Sequence, residues 1–531
     1  MPAPRGEYHG AGIFSVAACG AGFTPLTGFS IFAAAVRRRT RTDALESGRA
    51  PLYHPPMKTI HPLRASLTRR LLLSCSVLFL LLGAQGRFVP ASAQTRRARP
   101  VAATPPMGWN SWDSYGRTLD EKGIKANALW MARHLKRFGW EYVVVDEGWY
   151  LSGLDERGDI ARTRFQLDAY GRYVPVPARF PSAGKEFTFR PLADYLHSLG
   201  LKFGLHIIRG IPRDAVERNL PIAGSPFRAA EAADTTDVCP WNAYNYGLKV
   251  GHPAAQAYYD SLARQYAAWG VDFVKIDCIS DHPYKGDEIR MFSEAIRRAG
   301  RPVVVSLSPG PTSLDKCEEV ARYAQMWRIS NDVWDVWHSE KDFPQGVKNL
   351  FPLAARWAGV ARPGRWPDAD MLPLGSLRPA AGWGEPRESR LTRDEQRTLL
   401  TLWCVFRSPL IMGGNLLLSD DWTKSLLTNP EVIAVDQHSK DNRPVVTSDE
   451  VVIWTARPES GRDTYVAVFN VSDREQTVRY AWGDLGLPAP GYGLRDLWAR
   501  AEKGSAAGLE VTLPPHASAL YRATPRGRRT K

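Results

Sequence analysis

Residues 271–278 read V-D-F-V-K-I-D-C and follow a helical pattern that ends at Gly270. Their β-branched and aromatic side chains span too few positions for a helix, so they predict a short buried strand. The strand delivers Asp277 to its carboxyl end, where parallel α/β folds bind ligands. Lys275 lies two residues earlier and therefore faces the same side, where its cation would keep Asp277 ionised. An isolated Asp here would more often cap the next helix, so the interpretation depends on the rest of the chain.

A helical pattern, a glycine and an apolar run follow one another four times. Glycine past a helix end is the left-handed cap, and the apolar run after it is typical of a buried parallel strand. The predicted strands are residues 140–145, 202–208, 271–278 and 302–307, with further candidates at 107–110, 325–330, 366–372 and 409–415. Eight strands alternating with helices predict an α/β fold, a (β/α)8 TIM barrel over residues 100–435. A doubly wound sheet is the alternative, but no glycine-rich phosphate loop follows the first strand.

The pattern changes beyond about residue 437. Short apolar runs are separated by Gly, Pro and Asp turns at 451–455, 464–470, 476–481, 492–497 and 509–513. This spacing predicts a C-terminal antiparallel β-sandwich over residues 436–525. It shows no catalytic constellation, so we expect it to be a structural partner of the barrel.

The first hundred residues contain the pattern of an export signal. Arg69 and Arg70 precede an apolar run at 71–82, and Ala91 and Ala93 supply the small residues of a cleavage site. The apolar run is too short to span a membrane, so we expect no stable membrane insertion. We expect a signal peptide at residues 57–93, a dispensable or mis-called extension at residues 1–56, and a secreted or periplasmic mature protein.

The net charge of +14 is concentrated at the two ends of the chain. Residues 1–100 hold 14 Lys and Arg against 3 Asp and Glu, and the last ten residues add five cations. The body is nearly neutral and shows no basic stripe, which argues against a nucleic-acid partner. The cysteines after the signal match no zinc pattern, so we expect no metal and no cofactor; they are Cys239, Cys278, Cys317 and Cys404. The sequence leaves the oligomeric state open, a homo-oligomer included.

Carboxylates recur at the ends of the predicted barrel strands. Glycoside hydrolysis needs one carboxyl to protonate the leaving oxygen and a second to attack or stabilise the anomeric centre. The candidates are Asp146, Glu147, Asp277, Asp332, Asp368 and Asp370. Five tryptophans are expected around the same mouth, where they would contact sugar rings: Trp112, Trp149, Trp241, Trp334 and Trp366.

Short segments along the barrel form a specific set. They are P-P-M-G-W-N-S-W (105–112), V-D-E-G-W (145–149), V-K-I-D (274–277), W-R-I-S-N-D (327–332), W-P-D-A-D-M-L (366–372) and S-P-L-I-M-G-G-N-L (408–416). The sandwich adds R-D-L-W (495–498) and Pro515-His516. The set resembles glycoside hydrolase family 27, the α-galactosidase and α-N-acetylgalactosaminidase (melibiase) group, from residue 104 to about residue 523. This resemblance implies a retaining exo-glycosidase that releases terminal α-D-galactose from oligosaccharides, polysaccharides or glycoconjugates.

The resemblance also implies roles for individual residues. Asp277 would be the nucleophile of a double displacement, and Asp332 the general acid/base. Asp335 competes for the acid/base role, and Asp332 could instead cap the helix after the sixth strand. Substrate contacts are implied for Trp112, Asp146, Lys275, Arg328 and Asp370, and Trp149 would shape the pocket. The residue types agree with this, because Lys275 and Arg328 would keep neighbouring carboxylates charged.

Several positions depart from the family pattern. Glu147 replaces the usual Asp. Its extra methylene could enter the space of the galactose C6 hydroxymethyl group and favour β-L-arabinopyranose, which lacks that group. Alternatively, a small backbone shift could accommodate the longer side chain without changing specificity. After the third strand, His206 and Arg209 are candidate substrate contacts or a salt-bridged loop base. Ser308 lies near the position where galactose-specific family members carry an acidic residue that contacts the sugar 2-hydroxyl. The small side chain of Ser308 would also leave room for an N-acetyl group at C2.

The resemblance leaves one covalent link and several functions open. Cys239 and Cys278 lie near the positions of a family disulfide, with the spacing around Cys278 shifted by one. A β-L-arabinopyranosidase, an α-N-acetylgalactosaminidase or a transglycosidase of the same fold are the alternatives within the enzyme class. A catalytically silent sugar-binding protein is the rival from another class, and the presence of both Asp277 and Asp332 argues against it.

If residues 57–93 are a signal peptide, the exported protein begins at Gln94, because cleavage follows Ala93. N-terminal sequencing of protein recovered outside the cytoplasm measures this directly. Retention of residues 1–56 in that protein would contradict the assignment.

Overall fold

A computed structural model describes residues 100–159, 163–379, 384–488 and 490–526, so the expected signal peptide and extension lie outside the described residues. Eight strands form one parallel sheet: β1 Met107–Asn110, β2 Tyr142–Val145, β3 Lys202–Ile208, β4 Phe273–Asp277, β5 Val304–Leu307, β6 Met326–Arg328, β7 Trp366–Asp368 and β8 Leu410–Met412. They pair in the order β7-β6-β5-β4-β3-β2-β1-β8. Leu372, shortly after β7, forms a parallel bridge with Met412 of β8 and closes the ring. The predicted TIM barrel is confirmed.

Helices follow the barrel strands in turn. The main ones are α1 Glu121–His134, α2 Arg190–Ser198, α3 Pro253–Trp269, α4 Gly286–Ala299, α5 Cys317–Tyr323, α6 Leu350–Trp357, α7 Arg393–Phe406 and α8 Pro430–Gln437. Shorter helices are Trp112–Tyr115, Arg213–Glu217, Ala229–Ala232 and Asp421–Leu427, and 3-10 turns are Lys136–Phe138, Pro181–Glu186, Leu314–Lys316, Leu416–Leu418 and Trp482–Leu485. The four junction glycines, 139, 200, 270 and 300, all have the positive φ expected of left-handed caps. In the described part of the chain, no helix has the length and hydropathy needed to cross a membrane.

Short strands pair within the loops that connect the barrel elements. They are Leu151–Ser152 with Arg164–Phe165, Ser376–Leu377 with Arg387–Glu388, and a three-stranded sheet of Ile211–Pro212, Ala233–Cys239 and Asn242–Leu248. The last of these sheets lies between β3 and α3 and forms a large insertion beside the mouth of the barrel.

Alternation along β4 divides the barrel into inside and outside. Val274 and Ile276 belong to the large core formed with the helices, whereas Phe273 packs with residues of other strands in a small internal cluster. Lys275 and Asp277 share the phase of Phe273 and therefore face inward, closer to the mouth. Trp366 belongs to the internal cluster of Phe273, and its indole donates to Ala102 O over 2.8 Å. The expectation that Trp366 surrounds the mouth is wrong, because it begins β7 and lies at the amino end.

The C-terminal region forms the predicted sandwich. Its strands are β9 Ser439–Thr447, β10 Val451–Pro458, β11 Thr464–Asn470, β12 Gln476–Ala481, β13 Tyr492–Asp496, β14 Ala501–Ala506, β15 Gly508–Leu513 and β16 Ser518–Pro525. One antiparallel sheet has the order β9-β10-β11-β16-β13-β14, and β12 pairs with β15 in the second.

The sandwich packs against the barrel near the site. His516 stacks on Trp337 of the β6–α6 loop with ring centroids 4.2 Å apart, and its carbonyl accepts from Thr398 Oγ1 of α7 over 2.7 Å. Phe469 of β11 contacts Phe351 of α6, with 5.0 Å between ring centroids. The loop that begins at Asp332 is therefore supported from the sandwich side.

Candidate active site

Asp146 follows β2 and is a fully enclosed hydrogen-bond acceptor. Its Oδ2 accepts from Asn110 Nδ2 over 2.7 Å and from Lys275 Nζ over 3.0 Å. The Glu147 amide donates to its Oδ1 over 2.8 Å. Burial alone would raise the pKa of Asp146, but Lys275 and His206 hold that pKa well below its usual range. Asp146 is therefore a permanent anion at the mouth.

Asp277 ends β4 beside two donors. Trp241 Nε1 donates to its Oδ2 over 3.4 Å, and His206 Nε2 lies 3.8 Å from the same oxygen. Burial alone would raise the pKa of Asp277, but His206 and Lys275 lower it below the usual value. The sequence predicted the effect of Lys275; the structure adds His206, whose own pKa rises because Asp146 and Asp277 outweigh its burial. Asp277 is thus ionised at neutral pH, as a nucleophilic carboxylate must be.

Arg328 links two further carboxylates of the predicted set, Asp332 and Asp370. Its Nη1 lies 2.8 Å from Asp370 Oδ1, and its Nη2 lies 3.3 Å from Asp332 Oδ1. Asp370 has a φ of +90°, rare for a residue other than glycine, and its Oδ2 accepts from the Val333 amide over 2.7 Å. Burial, with Asp332 and Asp368 nearby, raises the pKa of Asp370 despite the guanidinium of Arg328.

Asp332 and Asp335 occupy different environments on the same loop. The Asp332 side chain is 28% exposed, against 19% for Asp277 and 2% for Asp146. Asp335 is fully buried between Arg387 and Arg390, with Arg387 Nη2 2.6 Å from its Oδ1. These guanidiniums lower the pKa of Asp335 although burial opposes them. Asp335 therefore forms a structural ion pair, and Asp332 is the carboxyl that substrate and water can reach.

Glu147 is clamped by two partners from different loops. Its Oε2 lies 3.2 Å from Arg117 Nη2, and its Oε1 accepts from Asn242 Nδ2 over 3.1 Å. Arg117 in turn lies over the ring of Trp112, 5.4 Å from the centroid. Because both carboxylate oxygens are held, the side chain cannot swing freely away from the mouth.

The predicted aromatic residues divide into two groups. Trp112 packs with Trp334 and Met371 in a small cluster of its own. Trp149 is only 1% exposed and lies among core aromatics, where its indole donates to the His206 carbonyl over 2.9 Å. Trp149 therefore supports the pocket indirectly, by holding the backbone of β3 at His206, and its side chain does not face the mouth of the barrel.

A cavity inside the barrel is bounded by residues of the strands and of the segments that follow them. It is lined by Asn110, Val144, Phe273, Lys275, Ser306, Ser308, Met326, Arg328, Asp368, Asp370, Met371 and Ile411. Four of the predicted site residues, Lys275, Ser308, Arg328 and Asp370, thus share one wall. The lining combines charged and hydroxyl groups, which can hydrogen-bond a polar ligand, with apolar side chains.

A disulfide and a buried arginine fix the backbone around Asp277. Cys239 is bonded to Cys278, so the pairing implied by the family resemblance is present. Arg209 Nε donates to Cys278 O over 2.7 Å and pairs with Asp237 and Glu288. Arg209 is therefore the salt-bridged loop base of the two alternatives left by the sequence.

Three residues of the site were missed by sequence reasoning. Asn110 ends β1 within the segment 105–112. Searching the strand ends for amides as well as carboxylates would have identified it. Arg117 lies in a loop and Asn242 begins a strand of the insertion between β3 and α3, and both reach Glu147 only through the fold. No local pattern marked them.

The chain matches two family models. Residues 242–438 match the model described as alpha galactosidase A, and residues 448–523 match the alpha galactosidase C-terminal beta sandwich domain. An α-galactosidase of Coffea arabica is 28% identical over 440 residues, which cover 81% of this chain and 97% of that protein. An α-galactosidase A of Cellvibrio japonicus is 26% identical over 458 residues, covering 82% and 96%.

A solved structure gives a stronger match. The family-27 β-L-arabinopyranosidase of Geobacillus stearothermophilus is 45% identical, with a TM-score of 0.76, and the match covers 81% of this chain and 98% of that one. Such identity over nearly the whole of a known glycosidase, with matching models for barrel and sandwich, shows that the chain is a glycoside hydrolase and belongs to glycoside hydrolase family 27.

Proposed function

We propose that this hydrolase is a retaining exo-glycosidase that removes terminal galactose-configured pyranosyl residues, α-D-galactosyl and β-L-arabinopyranosyl. The observation that carries the proposal is the contrast between two carboxyls at one mouth. The Asp277 side chain is 19% exposed and lies beside His206 and Lys275, which lower its pKa, whereas the Asp332 side chain is 28% exposed. Environments that differ in this way suit a nucleophile and an acid/base.

The reaction then proceeds in two displacements. Asp277 attacks C1 while Asp332 gives its proton to the glycosidic oxygen, so the C1–O bond breaks and a glycosyl ester forms. Asp332 next takes a proton from water, which attacks C1 and frees Asp277. Asp146, Lys275, Arg328 and Asp370 hold the sugar hydroxyls during both steps, with Ser308 in the cavity lining and Trp112 packed against the lining residue Met371.

The clamped Glu147 favours β-L-arabinopyranosides over α-D-galactosides. The two sugars share their ring configuration, but arabinopyranose lacks the C6 hydroxymethyl group. Arg117 and Asn242 hold the longer carboxylate in place, so a backbone shift that withdraws it would break both contacts. One methylene is worth about 1–3 kcal/mol of discrimination. The similarity to a β-L-arabinopyranosidase supports the same preference.

We further propose that the mature protein works outside the cytoplasm, secreted or periplasmic. The signal pattern of residues 57–93 and the Cys239–Cys278 disulfide support this, because disulfides persist in oxidising compartments.

Removing each carboxyl should produce a different defect. Asp277→Ala should abolish turnover of every glycoside, since no glycosyl ester can form. Asp332→Ala should still react with dinitrophenyl glycosides, whose leaving group needs no proton, and then stall until azide is added. Steady-state and burst kinetics on dinitrophenyl and alkyl glycosides measure both effects. Asp421→Ala, at a fully exposed carboxylate, is the matched control. Near-normal turnover by Asp277→Ala would refute the assignment.

Shortening Glu147 should open space for C6. Glu147→Asp should raise kcat/KM for aryl α-D-galactoside relative to aryl β-L-arabinopyranoside by roughly ten- to a hundredfold. The ratio of the two kcat/KM values is the measurement, because losses common to both substrates cancel in it. An unchanged ratio in a folded variant would show that Glu147 does not set the preference.

A further inference from the structure

A hairpin insertion is tied to the end of β4. The strands Ala233–Cys239 and Asn242–Leu248 form it, and residues 239–242 at its turn are called the tip here. Cys239 is bonded to Cys278, the residue after Asp277. Asp237 anchors the same hairpin through Arg209, at 2.7 Å, and Lys285, at 2.8 Å. The tip therefore has a fixed position relative to Asp277.

Consecutive residues of the tip reach two sides of the mouth. Trp241 Nε1 donates to Asp277 Oδ2 over 3.4 Å. Asn242 Nδ2 donates to Glu147 Oε1 over 3.1 Å. The tip thus extends from the carboxylate assigned to C1 attack to the side chain assigned to the C6 position.

Pyranose chemistry identifies which edge of the sugar this wall meets. The ring oxygen joins C1 to C5, and C5 carries the C6 group in galactose. A wall that runs from the C1 nucleophile to the C6 position therefore follows the ring-oxygen edge. Trp241 is 44% exposed there, and the His282 ring packs nearby with its plane at 80° and its centroid 6.2 Å away.

An indole surface at this edge discriminates between the two sugars. It complements the C5 methylene of L-arabinopyranose. It offers no hydrogen-bond acceptor to a C6 hydroxyl, which would lose water without compensation. We propose that Trp241 is a specificity-determining residue that acts with Glu147 to favour pentopyranosides over hexopyranosides. This inference rests on the proposed function, which supplies the roles of Asp277 and Glu147.

The test compares three variants by the ratio of kcat/KM for aryl α-D-galactoside to that for aryl β-L-arabinopyranoside. Trp241→Ala should raise the ratio by about ten- to a hundredfold, the range that one removed steric contact commands. Trp241→Phe keeps an aromatic wall but loses the N–H donor, so it should lower both kcat/KM values and leave the ratio near that of the wild type. Trp241→Leu keeps apolar bulk, so it should raise the ratio less than Trp241→Ala. If Trp241→Ala does not fold, Trp241→Leu serves as the test variant.

Two further variants sharpen the result. Trp241→Ala combined with Glu147→Asp should raise the ratio by less than the product of the single effects, because both open the same space. Tyr170→Ala removes an aromatic ring of similar exposure, 43%, that packs against Arg172, and it should leave the ratio unchanged.

Three outcomes would overturn the inference. An active Trp241→Ala enzyme with the wild-type ratio would show that the indole does not select. An equal rise in Trp241→Phe would assign the effect to the N–H donor. A wild-type chain that hydrolyses neither glycoside would refute the proposed function itself, and the inference with it.

Discussion

The active site depends on keeping Asp277 ionised inside a barrel. Moving a carboxylate out of water costs several kcal/mol even after the protein relaxes, unless cations and donors compensate. Lys275, His206 and Trp241 provide that compensation from three different segments of the chain. Lys275 and His206 also lower the pKa of Asp146, and Asp146 in turn raises the pKa of both, so each of the three stabilises the ionised form of another. Losing one member would therefore shift the titration of the rest.

Strand register brings these groups into one layer. His206 of β3 lies opposite Lys275 of β4, and Lys275 lies opposite Ser306 of β5. Val145 pairs with Leu205, so Asp146 follows at the level of His206. Because alternate residues face inward, the Asp146 carboxylate, the Lys275 ammonium and the His206 imidazole meet side by side above the apolar floor. A slip of one residue in any of these strands would turn its charged group outward.

Local pattern was enough to locate the strands and the acidic residues that end them. The β3 range was predicted to the residue, because a glycine cap closely precedes it and apolar residues dominate it apart from Lys202 and His206. Two sandwich strands were not predicted because they lack a clear apolar alternation. β14, A-E-K-G-S-A, is mostly exposed, and β9 contains charged residues and bulges. The expected 366–372 strand is in fact three residues and a separate bridge. Trp366 begins both the expected and the observed strand, so the strand direction already places it at the amino end.

Partners distant in sequence could not be predicted. Asp335 remained a competitor of Asp332, which was preferred only by its motif position, until the fold showed Arg387 and Arg390, more than fifty residues away, enclosing Asp335. Glu147 was recognised as unusual, but the clamp from Arg117 and Asn242 exists only in the folded chain. Trp241 was one tryptophan among five until the disulfide and its hydrogen bond placed it beside Asp277.

The central claim, that Asp277 is the nucleophile, is tested most directly by locating the covalent intermediate. Asp332→Ala enzyme is quenched with acid during turnover of dinitrophenyl β-L-arabinopyranoside, digested, and sequenced by mass spectrometry. The account predicts one pentosyl adduct, on Asp277, that disappears when azide is present. An adduct on any other carboxylate, or no adduct together with a product of inverted anomeric configuration, would contradict it.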